Sequence, residues 1–344
     1  MKYLALGGLL LFSAFTDCYS QENKPEDEYT FMFYNTENLF DAENDSLTSD
    51  DEFTPGGDRR WNPSKLWNKA NRVAKVILAA GGWNAPAFVG LCEIESYEVL
   101  DLLVRKTPLS ACHYKFIHKD SPDSRGIDVA FIYRPELFKP FDYQAIVLAD
   151  SSKPGFKTRD ILRISGILNN WDTLHIFINH WPSRYGGLME TVDLRKLAAQ
   201  RLDKAIQELF VSYPKAKIIC MGDFNDSPED VSLKQVLKAR KMNDPGVPGE
   251  MVNLSFNWMV LPIQTLKNMY SWQVFDQWIV SDYLLENTLG MQFAGAGIFT
   301  ASFLLEPDKK YGGVKPKRTY VGFKYQEGFS DHLPIVLKCR MNDR

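Results

Sequence analysis

The chain has 344 residues, of which 45% are hydrophobic and 24% charged, and its formal net charge at pH 7 is −3. A chain of this length and composition forms one large globular domain or two small ones, with ample apolar material for a core. The slight acidic excess excludes a bulk electrostatic grip on nucleic acid, which needs a basic surface, but it allows local contacts with a few phosphates.

The beginning of the chain has the pattern of a secretory signal peptide over residues 1–20. An apolar run over 4–15 is too short to span a bilayer as a helix, and a polar linker follows at 21–28. The pattern predicts an exported protein, periplasmic or extracellular, without stable membrane insertion. Lipid attachment at Cys18 is the alternative, but Asp17 stands where lipidation needs a small residue.

The rest of the chain alternates strand-like runs with a few helical ones. Apolar side chains recur at steps of three and four over 64–80 and 191–210, which is typical of amphipathic helices, and 229–241 predicts a shorter third helix. Short apolar runs typical of β-strands lie at residues 30–34, 87–92, 114–118, 127–133, 162–168, 174–178, 216–221, 275–280 and 334–338.

This interleaving predicts a single mixed α/β layered domain over residues 29–340. No repeat, low-complexity block or long linker divides it. Residues 242–272 and 305–326 show little periodicity and are predicted to be long loops, and loops of this length are often functional.

Polar side chains stand at the ends of several predicted strands. Two of them, Asp223 and Asn225, are two residues apart and point the same way if the strand continues, because the pleat has a period of two. Asp276 lies inside an apolar run, where a charge is costly unless it is paired. We expect these groups to converge on one rim of a sheet. The other polar strand ends are Asn35, Glu93, Asn179, His180, Asp331 and His332.

These residue types indicate hydrolysis of a phosphoester with the help of a divalent metal ion. Magnesium prefers oxygen ligands, few carboxylates and retained water, which fits Glu93, Asp331 and Asn35. Such an ion neutralises the phosphoryl oxygens and steadies the leaving group. The sequence therefore predicts Mg²⁺ or Mn²⁺ as the cofactor.

The remaining residues of the set supply proton transfer. Asp223 is expected to accept a proton from a water molecule that Asn225 orients. His332 is expected to bind phosphate or to carry protons, and Asp276 would hold its ring in one tautomer, as a carboxylate does for a catalytic histidine.

Six short segments carry these residues: 34–41 (YNTENLFD), 90–93 (GLCE), 120–130 (DSPDSRGIDVA), 179–184 (NHWPSR), 222–225 (GDFN) and 330–332 (SDH). In this order they resemble the endonuclease/exonuclease/phosphatase superfamily, which includes deoxyribonuclease-I-like nucleases, and within it the bacterial exported branch. Any one segment is weakly specific, but six in order are highly specific. The resemblance implies a four-layer α/β (α+β) sandwich, in which two packed mixed β-sheets are flanked by helices.

The resemblance also implies roles for individual residues. It places the metal at Glu93, with Asn35 and Asp331 close by, and it makes Asp223, aided by Asn225, the position that activates water. It sets His180 and His332 about the scissile phosphate, with Asp276 behind His332, and it makes Arg125 a phosphate contact.

Other polar residues near these segments have more than one interpretation. Arg184, with Trp181 and Tyr185, either contacts substrate or packs within its loop. Glu37 either binds the metal or is a solvated acid at a turn, and the solvated acid is favoured. Residues 120–123 either bind calcium or form a polar turn, and the turn is favoured. Further cations expected on or beside loops that face the site are Arg195, Lys315, Lys317 and Arg318.

Together these features predict an exported, monomeric, metal-dependent phosphodiesterase that acts on nucleic acid. A phosphatase or phosphodiesterase of small or lipid phosphoesters is the alternative, because the same catalytic core serves both and specificity depends on the loops. A non-catalytic binding module is least favoured, since every expected metal and proton-transfer position is filled.

Overall fold

The computed structural model describes residues 28–342, except 151–152, 171 and 287–289. The predicted signal peptide and residues 21–27 of the predicted linker lie outside the described residues. No helix in the described part of the chain is long and apolar enough to cross a membrane.

Three α-helices are described: α1 (Pro63–Gly81), α2 (Tyr97–Lys106) and α3 (Leu188–Ser212). The strands are β1 (Glu28–Leu39), β2 (Phe88–Ile94), β3 (Lys115–His118), β4 (Asp128–Tyr133), β5 (Phe138–Ile146), β6 (Ile161–Leu168), β7 (Asp172–His180), β8 (Lys217–Asp223), β9 (Arg240–Lys241), β10 (Met251–Asn253), β11 (Leu266–Asn268), β12 (Ser271–Gln273), β13 (Asp276–Ser281), β14 (Gly290–Ile298), β15 (Leu305–Pro307), β16 (Val314–Pro316), β17 (Tyr320–Val321), β18 (Lys324–Tyr325) and β19 (Ile335–Asn342).

Two large mixed sheets form the centre of the molecule. The first has the strand order β14-β19-β1-β2-β4-β3, and the second has the order β5-β6-β7-β8-β13-β10-β9. The pairs β1–β2 and β7–β8, near the middle of each sheet, are parallel. Three small hairpins, β11–β12, β15–β16 and β17–β18, lie outside both sheets.

Side chains alternate between two apolar layers along each central strand, as the period-two pleat requires. In β1, Phe31 and Phe33 point into the core between the sheets, whereas Met32 and Tyr34 point outward under the helices. Helices α1 and α2 cover the outer face of the first sheet, and α3 covers that of the second. The arrangement is the expected four-layer α/β sandwich.

Local signals explain where the helices begin and end. Asn62 and Ser96 accept hydrogen bonds from backbone N–H groups in the first turns of α1 and α2, and Gly82, with φ of 70°, ends α1. The nine predicted strands and two longer predicted helices are all present. The prediction of a helix over 229–241 is wrong. Only a π-helical turn forms at Ser232–Val236, because Lys238 adopts a left-handed φ of 57°.

The predicted loops contain more structure than expected. The three hairpins and β10 lie within them or at their edges, and each strand of these elements has only two or three residues. Such short strands are paired by turns and tertiary contacts, so their sequences carry little periodicity. The hairpin β11–β12 matters most, because Leu266 forms an isolated antiparallel bridge with His332.

Candidate active site

The polar strand ends meet where strands of both sheets end on the same side of the sandwich. The amide Nδ2 of Asn35, from β1, lies 3.2 Å from Oδ2 of Asp223 on β8 and 3.4 Å from Oε1 of Glu93 on β2. One side chain thus joins the two sheets at the rim of the interface between them. The predicted convergence of these residues is a feature of the structure.

Strand pairing alone aligns three of these residues. His180 is the register partner of Asp223 across the parallel pair β7–β8, and Asp276 is its partner across the antiparallel pair β8–β13. Neighbours of this kind on one sheet face have Cβ atoms only about 5 Å apart. The three side chains therefore form a row across the end of the second sheet.

The turn after β8 depends on two special backbone positions. A Cβ atom on Gly222 would lie 2.3 Å from the carbonyl oxygen of Asn179, so only glycine fits there. Asn225 adopts a left-handed φ of 50°; its backbone N–H donates to Oδ1 of Asp223 at 3.0 Å, and its amide donates to the carbonyl of Trp181 at 3.0 Å. These bonds hold the Asp223 carboxylate and the Asn225 amide side by side.

His332 is held over this row by its neighbours in sequence and in space. Its N–H donates to Oγ of Ser330, whose hydroxyl in turn donates to the Asn35 carbonyl at 2.8 Å. Its Nδ1 lies 2.7 Å from Oδ2 of Asp276, and its Nε2 lies 3.7 Å from Oδ2 of Asp223. The result is a buried line of groups running from Asp276 through the imidazole to Asp223.

The two histidines of the site have opposite charge preferences. Burial opposes charge on His332, but the carboxylates of Asp276 and Asp223 outweigh it and hold the pKa of this ring well above its usual value. Burial, with the nearby Arg159 and Arg125, holds the pKa of His180 well below its usual value. His332 is therefore a cation near neutral pH, whereas His180 is neutral.

The pKa of Asp223 is raised to about 6, chiefly by burial, although the charge of His332 opposes the shift. A carboxylate with such a pKa is ionised at neutral pH and is still basic enough to take up a proton. Nε2 of His180 lies 3.8 Å from Oδ2 of Asp223 and 3.8 Å from Oε1 of Glu93, so it faces both carboxylates.

Backbone irregularities aim the Glu93 side chain. The pairing of β1 with β2 shifts register between Asn35 and Leu39, and Glu93 itself adopts a left-handed φ of 60°. Bulges of this kind redirect side chains at functional sites. Oε2 of Glu93 accepts the N–H of Asn38 at 2.8 Å, while Oε1 faces the Asn35 amide and His180.

A partly buried ionic network beside Glu93 was not predicted. The guanidinium of Arg318 donates from Nε to Oε1 of Glu37 at 3.0 Å and from Nη2 to Oδ2 of Asp331 at 2.9 Å. Glu37 is 5% exposed, so its interpretation as a solvated acid is wrong. The buried amine of Lys69 donates to the hydroxyl of Thr319, and burial lowers its pKa to about 8.

This network supports Asp331 and links three distant parts of the chain. Burial disfavours the charged form of Asp331, but Arg318, His332 and Lys69 outweigh it, so the pKa of Asp331 is lowered. The apolar positions of α1 gave no sign that Lys69 would be buried, and Glu37 follows a strand like any turn acid. The role of Glu37 becomes visible only in three dimensions, where it pairs with Arg318, 281 positions away in the chain.

The predicted substrate-binding arginines differ in accessibility. Arg125 is partly exposed and close enough to His180 to influence its charge. The guanidinium of Arg184 donates to the Asn225 carbonyl and is ion-paired with Asp226 and Asp230. It braces the turn after β8, and its contact with substrate stays a prediction.

Several nearby residues are structural. Arg195 is fully buried, with its Nε 2.6 Å from Oδ1 of Asp226, so its prediction as a cation that faces the site is wrong. Trp181 is also buried, and its indole donates to Asn179, which agrees with packing within the loop. Asp123 accepts the N–H of Arg125 at 3.0 Å and pairs with Arg159, as expected of a residue that shapes a polar turn.

Comparison with known proteins agrees with this geometry. A family model described as the Endonuclease/Exonuclease/phosphatase family matches residues 30–341. The chain belongs to this family. A search of curated proteins finds no match.

Solved structures share the fold over nearly the whole chain. A family protein from Bacteroides thetaiotaomicron is 13% identical with a TM-score of 0.56, covering 92% of this chain and 99% of that one. D. rerio TDP2 complexed with a single-strand DNA product is 14% identical with a TM-score of 0.54, covering 91% and 99%. The human Nocturnin catalytic domain with bound sulfate is 15% identical with a TM-score of 0.54, covering 92% and 95%.

Membership of the Endonuclease/Exonuclease/phosphatase family makes this protein a metal-dependent phosphoric ester hydrolase. The residues present fit a divalent cation. Glu93 and Asp331 offer carboxylate oxygens at the rim, and both are partly accessible. The Asn35 amide is oriented with Nδ2 toward the carboxylates, while its Oδ1 accepts the N–H of Glu37 at 2.9 Å. Asp223, Asp276 and His332 also lie close enough together to hold a metal ion.

Proposed function

We propose that this protein is an exported phosphodiesterase that hydrolyses phosphodiester bonds in nucleic acid with Mg²⁺ or Mn²⁺. The observation that carries the proposal is the line from Asp276 through His332 to Asp223, with Glu93 opposite, at the rim between the sheets. A general base, a cationic acid and a carboxylate for a metal are what water attack on an anionic diester requires.

Asp223 acts as the base toward the attacking water. Its carboxylate is buried and basic, and one oxygen is held by the Asn225 N–H, which leaves the other facing the histidines. The Asn225 amide lies directly beside it and is fixed by the Trp181 carbonyl. Its remaining oxygen is available to orient the water whose proton passes to Asp223.

The histidines divide the remaining work according to their charge. His332, held as a cation by Asp276, stabilises the negative charge that develops on the phosphoryl group and donates its Nε2 proton to the leaving oxygen of the cleaved ester bond. His180 is kept neutral by burial, so it donates one hydrogen bond to the phosphoryl group without placing a second positive charge beside the metal site. A divalent cation held by Glu93 would supply positive charge to the phosphoryl oxygens and the leaving group.

Nucleic acid is the substrate class that the comparisons favour. D. rerio TDP2 is complexed with a single-strand DNA product, and the Nocturnin domain binds a sulfate anion, which resembles phosphate in charge and shape. In this chain, Arg125 lies near His180 and is partly exposed, so it can contact a phosphate next to the scissile one.

Export and the choice of metal are also part of the proposal. The signal-like pattern of residues 1–20 favours secretion to the periplasm or the exterior. The predominance of oxygen donors, with few carboxylates free to bind, favours Mg²⁺ or Mn²⁺ over softer metals.

A substrate panel tests the proposal directly. Plasmid DNA, single-stranded DNA, RNA, bis(p-nitrophenyl) phosphate, p-nitrophenyl phosphate and sphingomyelin vesicles would be incubated with Mg²⁺, Mn²⁺ or EDTA. Asp223→Asn serves as the inactive control. We expect metal-dependent release of nucleotides from nucleic acid and little free phosphate. Release of inorganic phosphate from monoesters, or cleavage of lipid alone, would favour the alternative phosphatase or lipid activity. Hydrolysis that survives EDTA would contradict the metal requirement.

A further inference from the structure

Two hairpins that lie outside the main sheets pack together, and the first of them lies next to His332. The first strand of the hairpin β11–β12 is joined to the site by its backbone: Leu266 bridges His332, and the Thr265 carbonyl accepts the N–H of Leu333 at 2.7 Å. The hydroxyl of Thr265 also accepts the N–H of Asp276 at 3.2 Å. The hairpin is therefore fixed to the same residues that hold the catalytic imidazole.

A buried ion pair locks the second hairpin, β15–β16, against the first. Nζ of Lys267 lies 2.9 Å from Oδ2 of Asp308, and both side chains are almost completely buried. The other oxygen of Asp308 accepts the N–H groups of Lys310 and Tyr311 at 3.1 and 3.0 Å, so it also shapes the tip of its own hairpin. The two tips are consequently held at a set position relative to each other and to the site.

The tips present aromatic surface to solvent instead of burying it. Tyr270 is 76% exposed and Met269 is 59% exposed. The rings of Tyr270 and Tyr311 meet edge to face with centroids 4.9 Å apart, and most of the surface of Tyr270 stays exposed. The amine of Lys310 lies over the ring of Tyr311, 4.9 Å from its centroid. The exposed side chains of Lys309 and Lys310 stand on the same tip as Tyr311. We call Met269, Tyr270 and Tyr311 the aromatic platform.

We propose that the aromatic platform stacks an unpaired base of a single-stranded nucleic acid whose scissile phosphate lies at His332. This inference rests on the proposed function and narrows its substrate. A single-stranded nucleic acid carries bases, which can stack on tyrosine rings, and phosphates, which can pair with lysine amines. A paired base in a duplex does not offer its face, so the platform favours single strands over duplexes.

The distance between the platform and His332 limits how many nucleotides are needed to reach both. Tyr270 lies four residues beyond Leu266, so no more than about 13 Å of strand separates the platform from the bridge to His332. Stacked nucleotides rise about 3.4 Å each, so about four nucleotides span that distance, and fewer do so if the strand is extended. A small diester such as bis(p-nitrophenyl) phosphate has no nucleotide base to place on the platform while its phosphate lies at His332.

Kinetics on substrates of increasing length test the proposal. Tyr270→Ala, Tyr270→Phe and the matched control Trp83→Ala would be compared with wild type on single-stranded oligonucleotides, the matching duplex and bis(p-nitrophenyl) phosphate. Trp83 is 98% exposed but precedes the start of β2, at the end of the sheet opposite Glu93. Unfolding midpoints would confirm that all variants are folded.

We expect Tyr270→Ala to raise KM for oligonucleotides of six or more residues by roughly 5- to 150-fold, the range typical of one base–aromatic stack. The kcat should be unchanged, as should both constants for the small diester. Tyr270→Phe should behave as wild type, and so should Trp83→Ala.

Three results would contradict base stacking on the platform and leave the proposed function intact. They are an unchanged KM in Tyr270→Ala, a rise in KM for the small diester equal to that for oligonucleotides, and equal wild-type KM values for single strand and duplex. If the wild type cleaves no nucleic acid at all, the proposed function fails, and the platform fails with it.

Discussion

Replacing Asp276 by asparagine removes one negative charge from the centre of the site and leaves the shape of the side chain almost unchanged. Oδ2 of Asp276 lies 2.7 Å from Nδ1 of His332, and both side chains are buried. Opposite unit charges about 4 Å apart attract by about 4 kcal/mol at an effective dielectric constant of about 20. Since pKa and interaction free energy are linked, losing an attraction of this size should lower the pKa of His332 from its raised value.

The lower pKa would shift His332 toward its neutral form, so the site would have less of its cationic acid. We expect kcat to fall by about 100- to 10,000-fold, the usual contribution of general acid–base catalysis. The assay pairs kcat on an oligonucleotide with an NMR titration of the His332 ring. Asp172→Asn is the control, because it makes the same substitution in an ion pair with Lys217 at the other end of β7.

Both measurements are needed, because a damaged fold would also lower kcat. The expected result is a large loss of kcat and a lowered His332 pKa in Asp276→Asn, with neither change in Asp172→Asn. A kcat close to that of the wild type would refute the role given to the pair. A normal His332 pKa in an inactive Asp276→Asn would show that the carboxylate acts by some means other than charge.

Three further predictions concern the metal, the grip on substrate and stability. Glu93→Gln should weaken Mn²⁺ binding, measured by titration calorimetry, by at least about 10- to 100-fold, a loss seen even for residues that only support a ligand; binding equal to that of wild type would place the metal elsewhere. Arg125→Ala should make the log–log salt dependence of KM shallower by about 0.7 to 0.9 if the side chain neutralises one phosphate, and an unchanged slope would exclude that contact. His175, buried against Ser165, has its pKa lowered to about 4, mainly by burial. The folded state thus binds fewer protons than the unfolded state, so its stability is complete above the unfolded pKa of about 6.5 and falls by about 3 kcal/mol as the pH decreases to about 4. In urea unfolding, His175→Gln should lose less stability than wild type between pH 7 and pH 4.5, and an equal loss would contradict the assignment.

The strands and the catalytic rim could be predicted because both follow from local patterns. Apolar runs marked the central strands, and polar residues such as Glu93 and Asp223 at their ends indicated the rim, since such ends cluster in layered α/β folds. Helix α2 was missed although Ser96 caps it and its apolar residues have helical spacing. Its ten residues are few enough to resemble an ordinary connection.

The parts that could not be predicted depend on contacts between distant residues. Glu37 reads as a turn acid until Arg318 is placed beside it, and Arg195 reads as a surface cation until Asp226 is seen to hold it in the core. The mistaken helix at 229–241 has good helical composition, and its course is broken by the backbone at Lys238. Sequence periodicity reports burial along one element and does not report which elements meet.

The position of β19 in the first sheet has a consequence for when the enzyme becomes active. β19 follows all the other described strands in the chain, yet it inserts between β14 and β1, and Asp331 and His332 lie just before it. The catalytic rim therefore requires contacts between residues about 300 positions apart, which form late because closing so long a loop is slow. As a chain emerges from a ribosome or a translocation channel, Glu93 and Asp223 emerge long before His332. The unfinished chain therefore lacks the contact between His332 and Asp276 until nearly all of the chain has been made.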